Sequence, residues 1–483
     1  MSLKVAFVHY HLRPGGVTRV IDNAVRSLSA AAVQTVALTG EKPAGDWLHP
    51  TEVVSGLGYA DAATGTSAEG ASLATDMLAA AHRSLGTDPD VWHIHNHSLG
   101  KNVAFPRAVR HLVELGHRVL LHLHDFAEDG RPLNYQNLLA CAPADEFDRT
   151  AYPSGDRVHY AALNRRDHDV LKRAGVPATR LHLLANPVHA AEALNEAADP
   201  TTGRIDDLTL YPARGIRRKN LGEFVLWSTR AEAGAGYAIT LRPANPREQP
   251  QYEAWAGFAG RAGLPVIFSA GERAPFGQWL AKAARLITTS VAEGFGLAFL
   301  EPWLAGRPLV GRDLPEITGD FTDAGVNLDA LYPRLTVPLE LVDEPELHRR
   351  VEARMRGSYQ AYQRELPGGA AAAAVALHSF TDRIDFGFLD EELQMSVIER
   401  ARRSSALRDE IFAGVEPMGA SPETVAANAA IVGSRFNLAD YGRRLTAIYE
   451  TLAASAPTRV GALNAGQILT EFLSPERFCL LRS

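Results

Sequence analysis

Residues 286–310 read LITTSVAEGFGLAFLEPWLAGRPLV. An apolar run at 286–289 leads into a Glu293-Gly294-Phe295-Gly296 turn, then a helical pattern carrying Glu301, then a second apolar run at 308–310. Strand, turn, helix and strand in that order form a βαβ unit, the building block of parallel α/β sheets. A turn entering a helix leaves backbone N–H groups without intrahelical partners, and the helix dipole favours an anion there. The turn is therefore expected to hold phosphate. Glu293 and Glu301 flank it, and carboxylates suit neutral hydroxyls. Hydroxyls on both sides of a phosphate describe a nucleotide sugar.

Working outward, short apolar runs alternate with helical patterns in two sets. The first set is 4–10, 35–38, 91–95, 118–124, 158–162 and 181–184; the second is 208–212, 237–242, 265–269, 286–289 and 308–310. Each predicts a doubly wound parallel sheet. A polar, alanine-rich stretch at 190–204 separates them, with Pro200, Thr201, Thr202 and Gly203 as breakers. The expected domains are 1–195, 205–380 and a helical extension at 381–483. Beyond 345 the pattern is helical (346–366, an alanine run at 370–375, 389–412, 422–434 and 438–453), with no evident strand.

Composition narrows the function. With 483 residues and 46% hydrophobic content the chain can bury large cores. A net charge of −7 with no basic block argues against nucleic acid as a partner. Two cysteines, Cys141 and Cys479, are too few for a disulfide framework or a zinc site and fit a reducing cytosol. No stretch reaches the roughly 20 apolar residues of a membrane span, so a cytoplasmic location is expected.

Three further clusters carry chemistry. After the first strand, His9-Tyr10-His11-Leu12-Arg13-Pro14-Gly15-Gly16 is a glycine loop that lets backbone approach a ligand, though it is not a dinucleotide fingerprint. In 118–125, RVLLHLHD, alternation puts His122 and His124 on one face; His93, His95 and His97 share a face of the preceding strand. His124 lies at the carboxyl end of its strand, where ligands collect in open α/β sheets. For His93 and His122 a core role is preferred to a metal site, because no carboxylate or cysteine stands at ligand spacing. In the second set, Arg214, Arg217, Arg218 and Lys219 crowd one strand-end loop, enough cations to balance a diphosphate.

These motifs, in this order, resemble retaining glycosyltransferases of the GT-B fold, in the large family (family 4) that includes sucrose-phosphate, trehalose and lipopolysaccharide glycosyltransferases. Gly15 and Gly16 match its glycine loop, His124 its strand-end histidine, Arg214 and Lys219 its cation pair, and Glu293 and Glu301 its paired glutamates. Gly306-Arg307-Pro308-Leu309-Val310, Leu314-Pro315-Glu316-Ile317 and Asn186-Pro187-Val188 match later segments, so the likeness spans residues 1 to about 320.

The resemblance implies two Rossmann-like domains facing a central cleft, with the last helices crossing back to the first domain; 436–452 has the apolar spacing to do so. It implies transfer of a hexosyl group from UDP- or GDP-hexose to an acceptor hydroxyl, without metal or other cofactor. Arg214 and Lys219 would bind the diphosphate and stabilise its developing charge, and Glu301 would hold the ribose hydroxyls. Glu293 and His124 would hold the sugar hydroxyls. The N–H groups of Gly294, Phe295, Gly296 and Leu297 would touch phosphate, and Gly15 and Gly16 would close over the diphosphate. The acceptor, a soluble small molecule or glycan, would meet His11, Arg13, His97, Lys101 and Asn102. Two departures stand out: Pro302 follows Glu301 where it should kink a helix, and Ala213 stands where the family usually has glycine. A non-catalytic nucleotide-sugar binder, a phosphorylase and an epimerase are the alternatives.

Overall fold

A computed structural model describes residues 3–29, 33–43, 47–60, 67–188, 207–457 and 459–482. The expected linker at 190–204 lies outside these. The chain divides into two compact units. Unit 1 comprises Met1–Pro187, Tyr359–Arg364 and Phe436–Ser474; unit 2 comprises Val188–Ser358, Glu365–Arg435 and Pro475–Ser483. Residues 381–483, read above as a helical extension, are thus distributed over both.

In unit 1 the strands are β1 (Lys4–His9), β2 (Gln34–Thr39), β3 (Thr51–Val53), β4 (Val91–His95), β5 (Val119–Leu123), β6 (Pro153–Ser154), β7 (Val158–Ala162) and β8 (Leu181–Leu183). Seven of them form a parallel sheet in the order β3-β2-β1-β4-β5-β7-β8. The strand order reverses between β1 and β4, which makes that position the topological switch point of the sheet. Period-two alternation sorts the residues between two cores: Ala6, Val8, Trp92, Ile94, Leu121 and Leu123 enter one, and Val5, Phe7, Val91 and Leu120 the other. Helix Gly16–Leu28 packs in the second core together with helix Leu438–Ala453, through Ile21, Leu28, Tyr441, Leu445 and Tyr449. Gly442 permits this approach, since a Cβ there would lie 2.7 Å from the Ser27 carbonyl oxygen.

Unit 2 is built on β9 (Asp207–Arg214), β10 (Ala235–Leu241), β11 (Val266–Ile267), β12 (Ala283–Thr288) and β13 (Leu309–Gly311), a five-stranded parallel sheet in the order β11-β10-β9-β12-β13. Beside it β14 (Thr336–Pro338), β15 (Ser379–Phe380) and β16 (Arg383–Asp385) form a small antiparallel sheet. In unit 1 the two-residue β17 (Gly461–Ala462) pairs with β6. The expectation of a strand-free tail beyond 345 fails at β15, β16 and β17, because two or three residues are too few to show a period of two. The helix expected at 389–412 is broken into Glu391–Ala401 and Ser405–Ile411, with Ser404 capping the second.

Candidate active site

Two neighbouring strands of unit 2, β9 and β12, deliver the charged groups. Beyond β9 the chain turns through the short 3-10 segment Arg217–Lys219. Asn220 follows in the left-handed region, φ 50°, which Asn tolerates, and its side chain caps helix Leu221–Ser228. Beyond β12 come Thr289, Ser290 and the turn containing Glu293. The two loops are stitched together: Thr289 Oγ1 donates to the Lys219 carbonyl at 2.9 Å, and the Val291 N–H donates to the Arg218 carbonyl at 2.9 Å. Tyr211, within β9, sits 2.9 Å from Ser290 Oγ.

At this junction the Lys219 ammonium donates to Glu293 Oε1. Ser290 Oγ donates to the same oxygen at 2.7 Å, and Arg218 Nη1 stands 3.7 Å from Glu293 Oε2. Burial works against charge on Glu293, but the Lys219 and Arg218 cations outweigh it and hold its carboxyl below the usual carboxylate range. An ammonium has three donors, so the pair keeps N–H groups for a phosphate and carboxylate lone pairs for a hydroxyl.

The four cations of the loop separate into different roles. Arg217 turns away to Glu391, with Nε 2.6 Å from Oε1, and to the Leu480 carbonyl at 3.1 Å. The expectation that all four balance a diphosphate is corrected for Arg217: a carboxylate and a carbonyl already hold it. Arg214 is exposed at the end of β9 and has no ion pair among the described residues.

In the turn, Phe295 buries its ring against Phe321, with centroids 5.5 Å apart, so only its backbone can meet a ligand. The N–H groups of Phe295 and Gly296 donate no hydrogen bond among the described residues. Gly296 has φ 92°, and a Cβ there would lie 2.9 Å from Ile317 Cγ2, so glycine is required. A Cβ at Gly294, two positions earlier, would meet nothing within 4 Å. After Gly296 the chain makes a 3-10 turn, Leu297–Phe299, and then a four-residue helix, Glu301–Leu304. Glu301 therefore stands at the first position of the helix. Pro302 occupies the first turn, where a missing N–H costs no hydrogen bond, so the expected kink does not arise.

Sequence reasoning missed a buried network behind this site. The Arg312 guanidinium bonds Glu223 through Nε (3.1 Å) and Asp385 through Nη2 (2.8 Å), while Tyr332 OH donates to Glu223 at 2.8 Å and Trp227 Nε1 to Tyr332 at 2.7 Å. Burial opposes charge on Asp385, yet Arg312 holds its carboxyl well below the usual range. Glu223 and Arg312 are 89 positions apart, and no local pattern links them.

In unit 1 the histidines form a ladder. His95 Nδ1 lies 2.8 Å from His124 Nε2, His93 Nε2 lies 3.1 Å from His122 Nδ1, and His93 Nδ1 lies 2.7 Å from Tyr449 OH. The rings of His93 and His95 stack with centroids 4.3 Å apart. All four are buried, with His124 at the strand end. Desolvation, reinforced by neighbouring imidazoles, pushes His93, His95 and His122 well below the usual value, and burial takes His124 down to about 4. Nε2 of His95 and of His122 is buried with no hydrogen-bond partner among the described residues. Nitrogens of His93, His95 and His122 lie within 4.8 Å of one another, the one grouping whose spacing could hold a metal among the described residues. Both ring nitrogens of His93 are already engaged, one by Tyr449 OH and the other by His122 Nδ1.

The acceptor-side residues divide. His97 is fully buried, with Nε2 2.9 Å from the Ala151 carbonyl, and Asn102 is buried with its amide on the Gly56 (2.8 Å) and Gly58 (2.6 Å) carbonyls. Both are corrected to supporting positions, since neither presents a polar group to solvent. His11, Arg13 and Lys101 remain accessible. Arg13 is paired bidentately with Glu41, at 2.5 and 2.7 Å. Gly15 is exposed and extended, φ 174°, and Gly16 is exposed at the start of helix Gly16–Leu28. Neither needs glycine for its own backbone; what the pair offers is an unobstructed surface.

No family model matches the chain. The mannosylglucosyl-3-phosphoglycerate synthase of Petrotoga mobilis is 26% identical over 377 residues, which is 68% of this chain and 68% of that protein. Anabaena HepE, solved in complex with UDP and glucose, matches with a TM-score of 0.54 at 15% identity, covering 93% of this chain and 100% of that one. Sucrose-phosphate synthase from Thermosynechococcus elongatus matches with a TM-score of 0.52 at 12% identity, covering 94% and 99%. A glycosyltransferase from Rickettsia africae gives 0.55 at 8%, covering 94% and 100%. Identities this low in the solved structures speak to architecture, and with a parallel α/β sheet in each unit the conclusion is that this chain has the GT-B fold of the glycosyltransferases.

Proposed function

We propose that the chain is a retaining glycosyltransferase of the family 4 type that moves a hexosyl group from UDP- or GDP-hexose to an acceptor hydroxyl without a metal. The single observation that carries this is the Lys219–Glu293 pair at the ends of two adjacent strands, beside unengaged turn N–H groups. Lys219 and the unpaired Arg214 take the diphosphate, and Glu293 takes hydroxyls of the transferred sugar. Glu301 takes the ribose. The acceptor oxygen attacks the anomeric carbon on the face from which the nucleotide departs, the bond from that carbon to the diphosphate oxygen breaks, and that oxygen receives the acceptor proton. The two cations stabilise the charge that develops on the leaving group, so no side-chain base is needed.

The relative from Petrotoga makes, by its name, a mannosylglucosyl-3-phosphoglycerate, an anionic glycoside. We carry that class, a sugar bearing a phosphate or carboxylate, to the acceptor of this chain. Incubation with a panel of UDP- and GDP-hexoses tests the reading: slow release of UDP or GDP is expected from one donor. Tight nucleotide binding with no release from any donor or acceptor would make the protein a binder instead.

A further inference from the structure

At the switch point of unit 1, between β1 and β4, three loops converge. One follows β1 and carries His11, one follows β3 and carries Tyr59, and one follows β4 and carries Lys101. Open α/β sheets bind ligands in the crevice at this position, outside the carboxyl ends of the strands. Tyr59 is 54% exposed, yet it is held in place. Its hydroxyl is 2.9 Å from His11 Nε2, and its ring meets those of Tyr10 and His11 edge-on at 5.4 and 5.0 Å. The loop before it is pinned by the Asn102 amide on the Gly56 and Gly58 carbonyls, and the Ala60 N–H donates to the Lys101 carbonyl at 2.9 Å.

The Lys101 ammonium stands 5.5 Å from the Tyr59 ring centre. Lys101 forms no ion pair among the described residues, whereas the nearby Arg13 has its charge matched by Glu41. An exposed aromatic ring fixed at a ligand crevice offers a flat surface for the apolar C–H face of a pyranose. The Lys101 ammonium over one face of that ring, with no carboxylate to match it among the described residues, offers charge-assisted hydrogen bonds to phosphate or carboxylate and leaves the other face for the sugar.

We propose that Tyr59, His11 and Lys101 form the acceptor subsite, with Tyr59 the platform under a sugar ring and Lys101 the recognition point for an anionic group on that acceptor. This rests on the transferase reading above and names the class of its acceptor. Tyr59 is the member of the subsite that sequence reasoning did not find, because it precedes no motif and stands between short strands.

Calorimetric titration of the full chain with glucosyl-3-phosphoglycerate, 3-phosphoglycerate, glucose and UDP, for wild type, Tyr59→Leu, Tyr59→Phe and Lys101→Gln, tests it. Wild type is expected to bind the glucoside more tightly than either fragment. Tyr59→Leu should weaken the glucoside by roughly 10-fold and leave 3-phosphoglycerate unchanged, while Tyr59→Phe, which keeps the ring, should stay close to wild type. Lys101→Gln should weaken the glucoside and 3-phosphoglycerate together, by roughly 10-fold or more. Glucoside affinity unchanged in Tyr59→Leu, or no glucoside binding by wild-type protein that binds UDP, overturns the subsite while leaving the donor reading intact. Failure to bind UDP would instead strike the transferase reading.

Discussion

In unit 1, His9, His93, His95, His97, His122 and His124 lie buried and uncharged, their rings stacked or bonded to one another and to backbone. In unit 2 ion pairs take that place: Arg312 lies buried between Glu223 and Asp385, and the partly buried Lys219 pairs with Glu293. Both arrangements meet the same cost, that of bringing polar groups into a medium that solvates them poorly. Neutralisation suits imidazole, whose ordinary pKa lies near neutrality, so shedding the proton is cheap. Guanidinium cannot do this, and burial is tolerated only beside carboxylates. The consequence is a difference in what perturbs each unit: protons threaten the first, and loss of a partner threatens the second.

Acidification should have the largest effect. The unfolded histidines take up protons near 6.5, while His9 is pushed down to about 3, and His97 and His124 to about 4, chiefly by burial. The unfolded state therefore binds more protons, and stability falls as pH drops below 6.5, with a slope approaching ~1.4 kcal/mol per pH unit for each histidine. Glu128 acts in the opposite sense. Burial raises its carboxyl to about 7, so it contributes stability at low pH that is lost as pH rises from about 4.5 through 7. Urea unfolding between pH 7 and 5 should show the histidine slope, and a flat profile would end the contrast between the units.

Next in size, Arg312→Met leaves Glu223 and Asp385 buried without a cation and should cost ~3–5 kcal/mol in denaturant unfolding at neutral pH. A loss below ~1 kcal/mol would show that unit 2 does not depend on pairing. Lys219→Ala should lower turnover by roughly 10²- to 10³-fold, equivalent to ~2.7–4 kcal/mol, with the fold retained by circular dichroism. Unchanged turnover in that variant would remove Lys219 from the chemistry. The smallest effects belong to glycine. Gly296→Ala should cost ~1–3 kcal/mol through its φ of 92° and the Ile317 contact, whereas Gly16→Ala, with nothing within 4 Å, should stay within about 0.5 kcal/mol.

Much of the architecture was legible because its signals are local. The limits 91–95, 158–162 and 438–453 read from periodicity agree with β4, β7 and helix Leu438–Ala453, since apolar spacing is set by which face is buried. Alternation likewise placed His122 on the face opposite Leu121 and Leu123. Local signals misled where a residue's role depends on distant partners. Arg217 reads as part of a phosphate loop until Glu391, 174 positions away, claims it. His97 and Asn102 read as acceptor contacts because polar residues in loops after strands usually face solvent, yet Ala151, Gly56 and Gly58 draw both inward. Pro302 reads as a kink because the helix was expected to start earlier. The intervening 3-10 turn moved that start to Glu301.

By itself the sequence determined the two parallel sheets, the order of the strand-end motifs and the residue types able to meet phosphate and hydroxyls, because strand period, turn chemistry and charge are encoded within a few neighbouring residues. Only tertiary structure decided which of those groups meet. Lys219 and Glu293 are brought together because β9 and β12 are adjacent in the sheet, Arg312 is placed between carboxylates from two other segments, and Tyr59 is fixed at the switch point by loops from three strands. Contacts between residues far apart in the chain follow from strand order and helix packing, which no short stretch of sequence contains.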